Sequence, residues 1–162
     1  DAVVVGNLVV QAAGSQNRAM LSYGEEGVRY PEAQLLAAFN TFYSYRENPV
    51  FFSNRSNSTA WIGNNLLSGA SGINVLGPAE SVSNRFLPKS TFQANERGDF
   101  SLANGSAAID AAAPLPLSLS AALTPEFEPT NKKIVFRHRL NIGLADLGAI
   151  EWCGARGRED SM

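Results

Sequence analysis

Few residues in this 162-residue chain have side chains suited to catalysis. It contains one histidine, His138, and one cysteine, Cys153. A Ser-His-Asp or Cys-His arrangement would have to use them, and no G-x-S-x-G segment supplies a serine nucleophile. A lone cysteine near a terminus is more often a bystander than a nucleophile. Neither a multi-histidine nor a cysteine-based metal site can be built from these two residues. We therefore predict no catalytic residue, no metal and no cofactor.

Paired carboxylates could hydrolyse a glycosidic bond if they flanked it in the fold. Glu25 and Glu26 are adjacent, and Glu126 and Glu128 are separated by one residue. The first pair lies in a Gly-Glu-Glu-Gly turn and the second in a proline-rich stretch. Spacing alone therefore gives these pairs little support as an acid–base couple.

A basic stretch, "KKIVFRHR", brings together Lys132, Lys133, Arg137, His138 and Arg139. Arginine can bind the carboxylate of an acidic polysaccharide through two parallel hydrogen bonds. The alternative is a solvated strand face whose charges flank an apolar Ile-Val-Phe core. We favour the second interpretation.

Two tyrosines and an arginine in "FYSYRENP" are the best candidates for substrate binding. Tyr43 and Tyr45 alternate on one face of a predicted strand, and Arg46 follows directly. Exposed aromatic rings beside an arginine are typical of sugar-stacking surfaces. The alternative, which we favour, is that these side chains pack on the outside of the fold. We predict polysaccharide as the ligand if this surface binds one.

Composition places these candidates on one ordered globular domain. Hydrophobic residues make up 44% and charged residues 17%, and the formal net charge is -2. This charge gives no reason to expect nucleic acid as a partner. No apolar stretch is long enough to span a membrane, and no signal peptide is visible. The sequence enters a strand-like run directly after Asp1, so we expect further coils upstream in a parent chain.

Short strands separated by turn residues dominate the chain. Strands are predicted in "AVVVGNLVVQ", "NRAMLSYGEEGVRY", "FNTFYSYR", "NPVFFSN" and "STAWIGNNLLSG", from their β-branched and aromatic residues. Residues 31–39 could instead form a short helix or a loop, because Pro31 suits a first helical turn and Glu, Ala, Gln and Leu favour helix.

An asparagine recurs between these strands. Asn7, Asn40 and Asn65 are each followed by an aliphatic or aromatic pair, at spacings of 33 and 25 residues. Periods of this size indicate a solenoid. An asparagine tolerates the left-handed backbone of a turn, and its buried amide can hydrogen-bond to the same amide one coil away. The pattern favours stacked coils of a parallel β-helix over chance asparagines in turn-rich sequence.

The second half of the chain resembles a known terminal pattern. Proteins of the pectate-lyase-like superfamily, secreted right-handed parallel β-helices, end on a pattern like D-P-x-F, G-D-F-x-L-x-x-G-S-P-A-I-D-x-G and D-I-G-A-Y-E. The matching positions are Phe92, Gly98, Asp99, Phe100, Leu102, Gly105, Ser106, Ala108, Ile109, Asp110, Asp146, Gly148, Ala149 and Glu151. The departures are Ala107 in place of Pro, Ala112 in place of Gly, and "KS" in place of the first acidic residue.

This resemblance implies an all-β, right-handed parallel β-helix, for which we expect three to five coils. Residues 1–83 would form coils, 84–152 a terminal coil and cap, and 153–162 a tail. The protein would be secreted or attached to the cell surface. It would bind or act on polysaccharide, with any lyase or hydrolase site outside this chain. The alternative is a structural or adhesive protein without enzyme activity.

The last coil of a solenoid needs a cover, because its open edge can pair with another chain. Residues 99–130 with 146–152 are predicted to provide it. Ile109 and Leu147 would lie in the core, and Asp110 would accept hydrogen bonds from backbone amides. Four prolines keep residues 111–130 from adding as another strand, namely Pro114, Pro116, Pro125 and Pro129.

Overall fold

The computed structural model describes residues 1–130, 135–140 and 142–154. Within them, fifteen short strands and one short α-helix follow one another. The strands are β1 (Ala2–Val5), β2 (Leu8–Gln11), β3 (Ala19–Tyr23), β4 (Leu35–Ala38), β5 (Thr41–Ser44), β6 (Val50–Asn54), β7 (Ala60–Gly63), β8 (Leu66–Gly69), β9 (Ile73–Leu76), β10 (Ala79–Val82), β11 (Arg85–Phe86), β12 (Phe92–Ala94), β13 (Asp99–Leu102), β14 (Phe127–Pro129) and β15 (Phe136–His138). Helix α1 spans Leu117–Leu123, and 3-10 turns span Lys89–Thr91 and Asn95–Arg97.

The first eleven strands stack as coils. Coil 1 contains β1–β3, coil 2 β4–β6 and coil 3 β7–β9, while coil 4 contributes only β10 and β11. Equivalent strands pair in parallel and form sheet A (β1, β4, β7, β10), sheet B (β2, β5, β8, β11) and sheet C (β3, β6, β9). This stacking is consistent with a parallel β-helix and lies within the predicted range of coils.

Inward-facing side chains of the three sheets form a central core between them. Phe42 and Phe52 meet edge to face with ring centroids 4.8 Å apart. The residues of this core are fully or almost fully buried and come from coils 2 and 3: Leu35, Ala37, Phe42, Phe51, Phe52, Ala60, Ile62 and Leu67. Burying this apolar surface is the main stabilising contribution to the coils.

The turn between sheets A and B repeats in every coil. It consists of one residue with a left-handed backbone followed by an asparagine. The left-handed residues are Gly6, Phe39, Asn64 and Ser83, with φ of 69°, 53°, 57° and 53°. The asparagines are Asn7, Asn40, Asn65 and Asn84. The amide pairing predicted between coils is present, but the left-handed backbone lies at the residue before each of these asparagines and not at the asparagine itself. The fourth asparagine, 19 residues after the third, was missed.

The four asparagines form a hydrogen-bonded ladder along the stack. Asn7 donates its Nδ2 and backbone N–H to Asn40 Oδ1 at 3.1 and 3.0 Å. Asn40 donates in the same way to Asn65 Oδ1, at 2.9 Å for both bonds. Asn65 donates to Asn84 Oδ1 at 2.8 and 3.0 Å. The ladder therefore has a direction, because each oxygen accepts only from the coil before it.

The helix considered for residues 31–39 is not present. Residues Leu35–Ala38 form strand β4, which is buried throughout and pairs with β1 on one side and β7 on the other. Two-sided pairing and burial override the helical propensity of Leu and Ala. Residues Thr41–Ser44 form strand β5, in agreement with the prediction for "FNTFYSYR".

After β11 the chain leaves the stack and forms a strap, defined here as the described residues from Leu87 to Gly154. Its first part is the antiparallel hairpin β12–β13, which lies against the outer face of sheet B. Its second part includes α1, which packs against β4 and β1 on the outer face of sheet A. Its third part contains the antiparallel pair β14–β15 and returns along the turns between the two sheets.

The contacts of the strap correct the predicted lid over the last coil. Ala113 exchanges two hydrogen bonds with the side chain of Asn64 in coil 3, at 2.8 and 2.9 Å. Further on, the Gly148 N–H donates to Asn64 O and the Ala149 N–H to Thr41 Oγ1 in coil 2. Residues 111–130 therefore cover the side of the stack from coil 1 to coil 4, where Ser83 Oγ donates to Ala111 O. These residues add no strand to sheets A, B or C, as predicted from their prolines, although Phe127–Pro129 form β14 in a separate pair with β15.

The predicted role of Asp110 is also wrong, because donor and acceptor are reversed. Asp110 is exposed, and its own N–H donates to Asp146 Oδ1 at 2.7 Å. Leu147 is fully buried as predicted, while Ile109 is half-buried at the edge of the same cluster. Gly148 allows a close approach of the strap to coil 2, since a Cβ there would lie 2.4 Å from Thr41 Oγ1.

Candidate functional site

The predicted sugar-binding residues lie at the end of β5, on the outer side of sheet B. Tyr43 and Tyr45 are neighbours there, with ring centroids 4.8 Å apart. However, Tyr43 is fully buried under the hairpin β12–β13. Its ring contacts Phe92 and Phe100, and Asn95 Nδ2 donates to its hydroxyl at 2.7 Å. A stacking surface made of both rings is therefore absent, because the hairpin covers one of them.

Tyr45 and Arg46 remain accessible in part. Tyr45 is 39% exposed, and its hydroxyl donates to the Asn95 carbonyl at 3.2 Å. Burial raises the pKa of both Tyr43 and Tyr45 above the ordinary value of 10.0. Arg46 is half-buried, and its Nε has no hydrogen-bond partner among the described residues. Tyr45 thus offers one edge of a ring beside a cation, which is a smaller surface than the sequence predicts.

Among the described residues, charged side chains of the strap form a buried ionic cluster. Arg139 pairs with Glu151, with 2.6 Å between Nη2 and Oε2. The side chains of both residues are almost completely buried, at 1% and 0% exposed. Arg139 also donates to the carbonyls of Gly148 and Asp146 at 2.8 and 3.0 Å. The guanidinium therefore ties together the whole segment from Asp146 to Glu151.

Two further carboxylates complete the cluster. Asp146 accepts from the backbone N–H groups of Asp110 and Trp152. Glu128 accepts from the Glu151 N–H at 2.7 Å and pairs with Arg137 across the β14–β15 hairpin. Each carboxylate thus joins two parts of the strap that are distant in sequence.

Burial is the main perturbation in this cluster. It raises the pKa of Asp146 and of Glu151, while the Arg139 charge and the hydrogen bonds from backbone amides act in the opposite direction. Glu151 Oε1 is buried without a partner in the described part of the chain. Raised carboxyl pKa values occur in catalytic acids, but here the side chains are enclosed and already bonded to the strap. The arrangement is suited to holding the chain together.

A cavity of about 280 Å³ lies between α1, the turn of coil 2 and the ionic cluster. Its walls are mostly apolar and include Phe39, Leu115 and Pro125. Arg139 closes one side, with its guanidinium 5.2 Å from the centre of the Phe39 ring. Because the Arg139 donors point to Glu151 and to carbonyls, the cavity offers a ligand few polar partners.

The remaining predicted candidates do not converge. Within the basic stretch, Lys132 and Lys133 lie outside the described residues. Arg137 and Arg139 form the ion pairs above, and exposed His138 stacks against Phe127 at 4.5 Å. Glu25 lies in an exposed loop, where it accepts hydrogen bonds from Ser22 and Ser53 and pairs with Arg55. In the described residues, no group of three or more His, Cys, Asp or Glu is placed to hold a metal ion.

Sequence reasoning missed the buried cluster as a unit. Asp146 and Glu151 belong to the terminal pattern, but Arg139 was assigned to a basic surface and Glu128 to a proline-rich stretch. The sequence contains one signal for the Glu128–Arg137 pair. In both "FEP" and "FRH" the charged residue is the central one of a three-residue strand. In the hairpin, Glu128 and Arg137 pair directly.

Comparisons with protein-family models, with curated proteins and with solved structures gave no match. In the part of the chain that the structure describes, no helix has the length and apolar character needed to span a membrane.

Proposed function

We propose that this chain is a non-enzymatic, structural part of a secreted or cell-surface β-helix protein. The observation that supports this most directly is the use of its buried charged groups. Glu128, Asp146, Glu151 and Arg139 all bond within the strap, so these groups are committed to holding the parts of the strap together. Fold alone does not decide function, and the proposal therefore rests on these side chains.

The finer structural assignment is part of the same proposal. We infer a right-handed coil, because a connection between parallel strands of one sheet is right-handed in nearly all proteins. The terminal pattern between Phe92 and Glu151 supports kinship with the pectate-lyase-like superfamily and hence secretion. Its apolar members, including Phe100, Leu102 and Ala149, form one buried cluster with Tyr43 of coil 2.

The proposal is tested by an activity screen on the purified chain. A panel of neutral and acidic polysaccharides is incubated with it, and new reducing ends and unsaturated products are measured. We expect no turnover above a heat-denatured sample. Turnover that Tyr45→Phe or Glu128→Gln abolishes without loss of folding would contradict the proposal.

Polysaccharide binding without turnover is the second candidate, favoured by the partly exposed Tyr45 ring beside Arg46. A glycan array compares the unmodified chain with Tyr45→Ser and Arg46→Ala. The matched control is Tyr30→Ser, because Tyr30 is 65% exposed and also has an arginine, Arg29, over its ring. Binding lost in the first two variants and kept in the control supports this candidate. Equal binding by all four proteins, or none by any, rejects it.

A further inference from the structure

The two ends of the coil stack differ in how their edge strands are protected against pairing with another chain. Edge strands expose unpaired backbone groups, and proteins commonly protect them with charges, proline or short strands. At the coil 4 end, β10 reads Ala-Glu-Ser-Val and β11 is only Arg-Phe, with Pro88 two residues after its end. At the coil 1 end, β1 reads Ala-Val-Val-Val and β2 Leu-Val-Val-Gln. Charge, short length and proline therefore protect one end, and none of these devices is found in β1 or β2.

One column of inward-facing positions in sheet A shows the same difference. Val4, Ala37, Ile62 and Ser81 occupy one column of sheet A. The column is thus apolar in coils 1 to 3 and polar in coil 4. In sheet B, the last inward residue is Phe86, whose ring lies 6.0 Å from that of Phe51 and covers part of the core.

The asparagine ladder is closed at coil 4 and open at coil 1. In coils 2 and 3, one Nδ2 hydrogen is donated back to a carbonyl of the preceding coil and the other forward to the next asparagine. Asn84 keeps the backward bond, to Ile62 O, and donates its other hydrogen to Ser81 Oγ of its own coil at 2.9 Å. The Ser81 hydroxyl therefore accepts the hydrogen bond that the asparagine of a next coil would accept.

At the coil 1 end, Asn7 lacks a hydrogen-bond donor to its side-chain oxygen among the described residues. Its donors are used, in bonds to Asn40 Oδ1 and to Val5 O. Its Oδ1 accepts no hydrogen bond in the part of the chain that the structure describes, whereas the same atom in the other three asparagines accepts two. An acceptor is therefore presented at coil 1 in the geometry that the ladder satisfies everywhere else.

We propose that the outer face of coil 1 is a docking face for one further parallel β-coil that carries asparagine at the ladder position. The incoming asparagine donates its backbone N–H and Nδ2 to Asn7 Oδ1. Its strands pair with the free edges of β1, β2 and β3, and its inward side chains cover Val4 and Val9. The interface repeats the one that the chain already forms between coils 1 and 2.

A second copy of this chain fits the face less well. Head to tail, β1 and β2 could pair with β10 and β11, but sheet C has no strand in coil 4, so a gap would lie opposite β3. Head to head, two Asn7 oxygens would face each other, and neither supplies a donor. These mismatches favour a coil that runs in the same direction as coil 1 and has all three strands.

The test extends the stack by one coil taken from the protein itself. The first version carries a copy of residues 35–59 directly before Ala2, in place of Asp1. In the natural chain residue 59 is followed by Ala60, which begins strand β7 of sheet A, so the copy leads into β1 of the same sheet in the same way. A second version uses residues 60–78, which naturally precede Ala79. We expect one cooperative urea transition with a higher midpoint and a larger m-value than the unmodified chain, since more surface is buried on folding.

A mutation cycle separates ladder docking from unspecific attachment. Asn7→Ala is made in the unmodified and extended chains, and the added asparagine is changed to Ala in parallel. Asn7→Ala should reduce the folding equilibrium constant about 30-fold more in the extended chain, the value of two further hydrogen bonds of about 1 kcal/mol each. Equal losses in both chains would overturn the proposal.

Three other outcomes would overturn it as well. The added coil could unfold in a separate transition, or be removed by protease while the midpoint stays unchanged. Both extended versions could fail to fold although the unmodified chain folds. Finally, the unmodified chain could form a dimer in light scattering that Val9→Lys dissociates, which would assign the face to a second copy. The docking proposal rests on the fold alone. Catalytic turnover would contradict the structural function proposed above, but it would leave the docking proposal unaffected.

Discussion

Asn65 shows most clearly how a single side chain supports the stack. It is fully buried, donates to Ala37 O, Gly63 O and Asn84 Oδ1, and accepts two bonds from Asn40. Removing the amide leaves several buried backbone and side-chain groups without partners. We expect Asn65→Ala to reduce the free energy of unfolding by about 3 kcal/mol, measured by urea denaturation.

Asn7→Ala is the matched control for this prediction. Asn7 is exposed at the end of the same ladder, and its oxygen accepts nothing among the described residues. Its loss should cost about 1 kcal/mol. Equal costs at the two positions would mean that burial of the ladder amides contributes little.

Asp146 makes the stability of the fold depend on pH. Burial raises its pKa above the ordinary value of 3.8, so the folded state binds the proton more tightly than the unfolded state does. The resulting stabilisation is fully present below the unfolded pKa and is lost as the pH rises through the raised folded value. Asp146→Asn cannot titrate. The unfolding free energy of the unmodified protein minus that of the variant should therefore fall as the pH rises from about 3 to about 7. A difference that increases over this range would contradict the assignment.

Residue patterns predicted the ladder but not the fate of Tyr43, and the reason is physical. The asparagine turn is a local requirement, since a left-handed residue and a stacked amide recur wherever sheet A meets sheet B. The alternation of Tyr43 and Tyr45 correctly indicated a shared outer face. Whether that face meets solvent depends on Asn95 and the hairpin around it, which come about 50 residues later. Local pattern contains no information on such a cover.

At the scale of elements, α1 joins the strap to the stack through one side of the helix. Leu123 at its end is fully buried against the outer face of sheet A, while Leu117 at its start is 94% exposed. Leu123→Ala leaves a cavity under the strap and should cost about 2–4 kcal/mol in the free energy of unfolding. Leu117→Ala removes the same atoms in the same helix and should cost less than about 0.5 kcal/mol. Thermal and urea unfolding of the two variants measure this contrast, and equal effects would show that α1 does not anchor the strap.

The short elements also show where prediction from sequence ends. Strands β5, β6 and β7 were predicted from aromatic and β-branched residues, and these strands are present. Strand β4 was ambiguous because "LLAA" suits a helix, and only its pairing with β1 and β7 makes it a strand. Residues 111–130 of the strap were predicted, from their prolines, to add no strand to the stack. Its position on the side of the stack depends on hydrogen bonds such as that between Ala113 and Asn64, which join residues 49 apart.

For the molecule as a whole, the strap covers the outer faces of sheets A and B, which would otherwise contact solvent. Those faces carry large apolar residues that exposed sheets rarely show, including Leu36, Phe39, Tyr43 and Trp61, each at most 6% exposed. The pattern of buried residues on both faces is typical of strands within a covered sheet. The coils and the strap are therefore expected to depend on each other for solubility.

A chain that ends at Pro88 tests this dependence and decides between lateral and end-to-end association. It keeps all eleven stacked strands but uncovers the outer faces of sheets A and B. We expect it to self-associate, because contiguous exposed apolar surface of this kind drives association. Size-exclusion chromatography with light scattering measures the oligomers, and binding of a hydrophobic dye reports the exposed faces.

The matched control is the same truncated chain with Leu36→Lys and Trp61→Lys, which places charges on the outer face of sheet A and leaves both ends of the stack unchanged. Reduced association in the control means lateral contact through the faces that the strap covers. Undiminished association means contact through the ends, and a monodisperse truncated chain with the melting temperature of the full chain would show that the strap is dispensable.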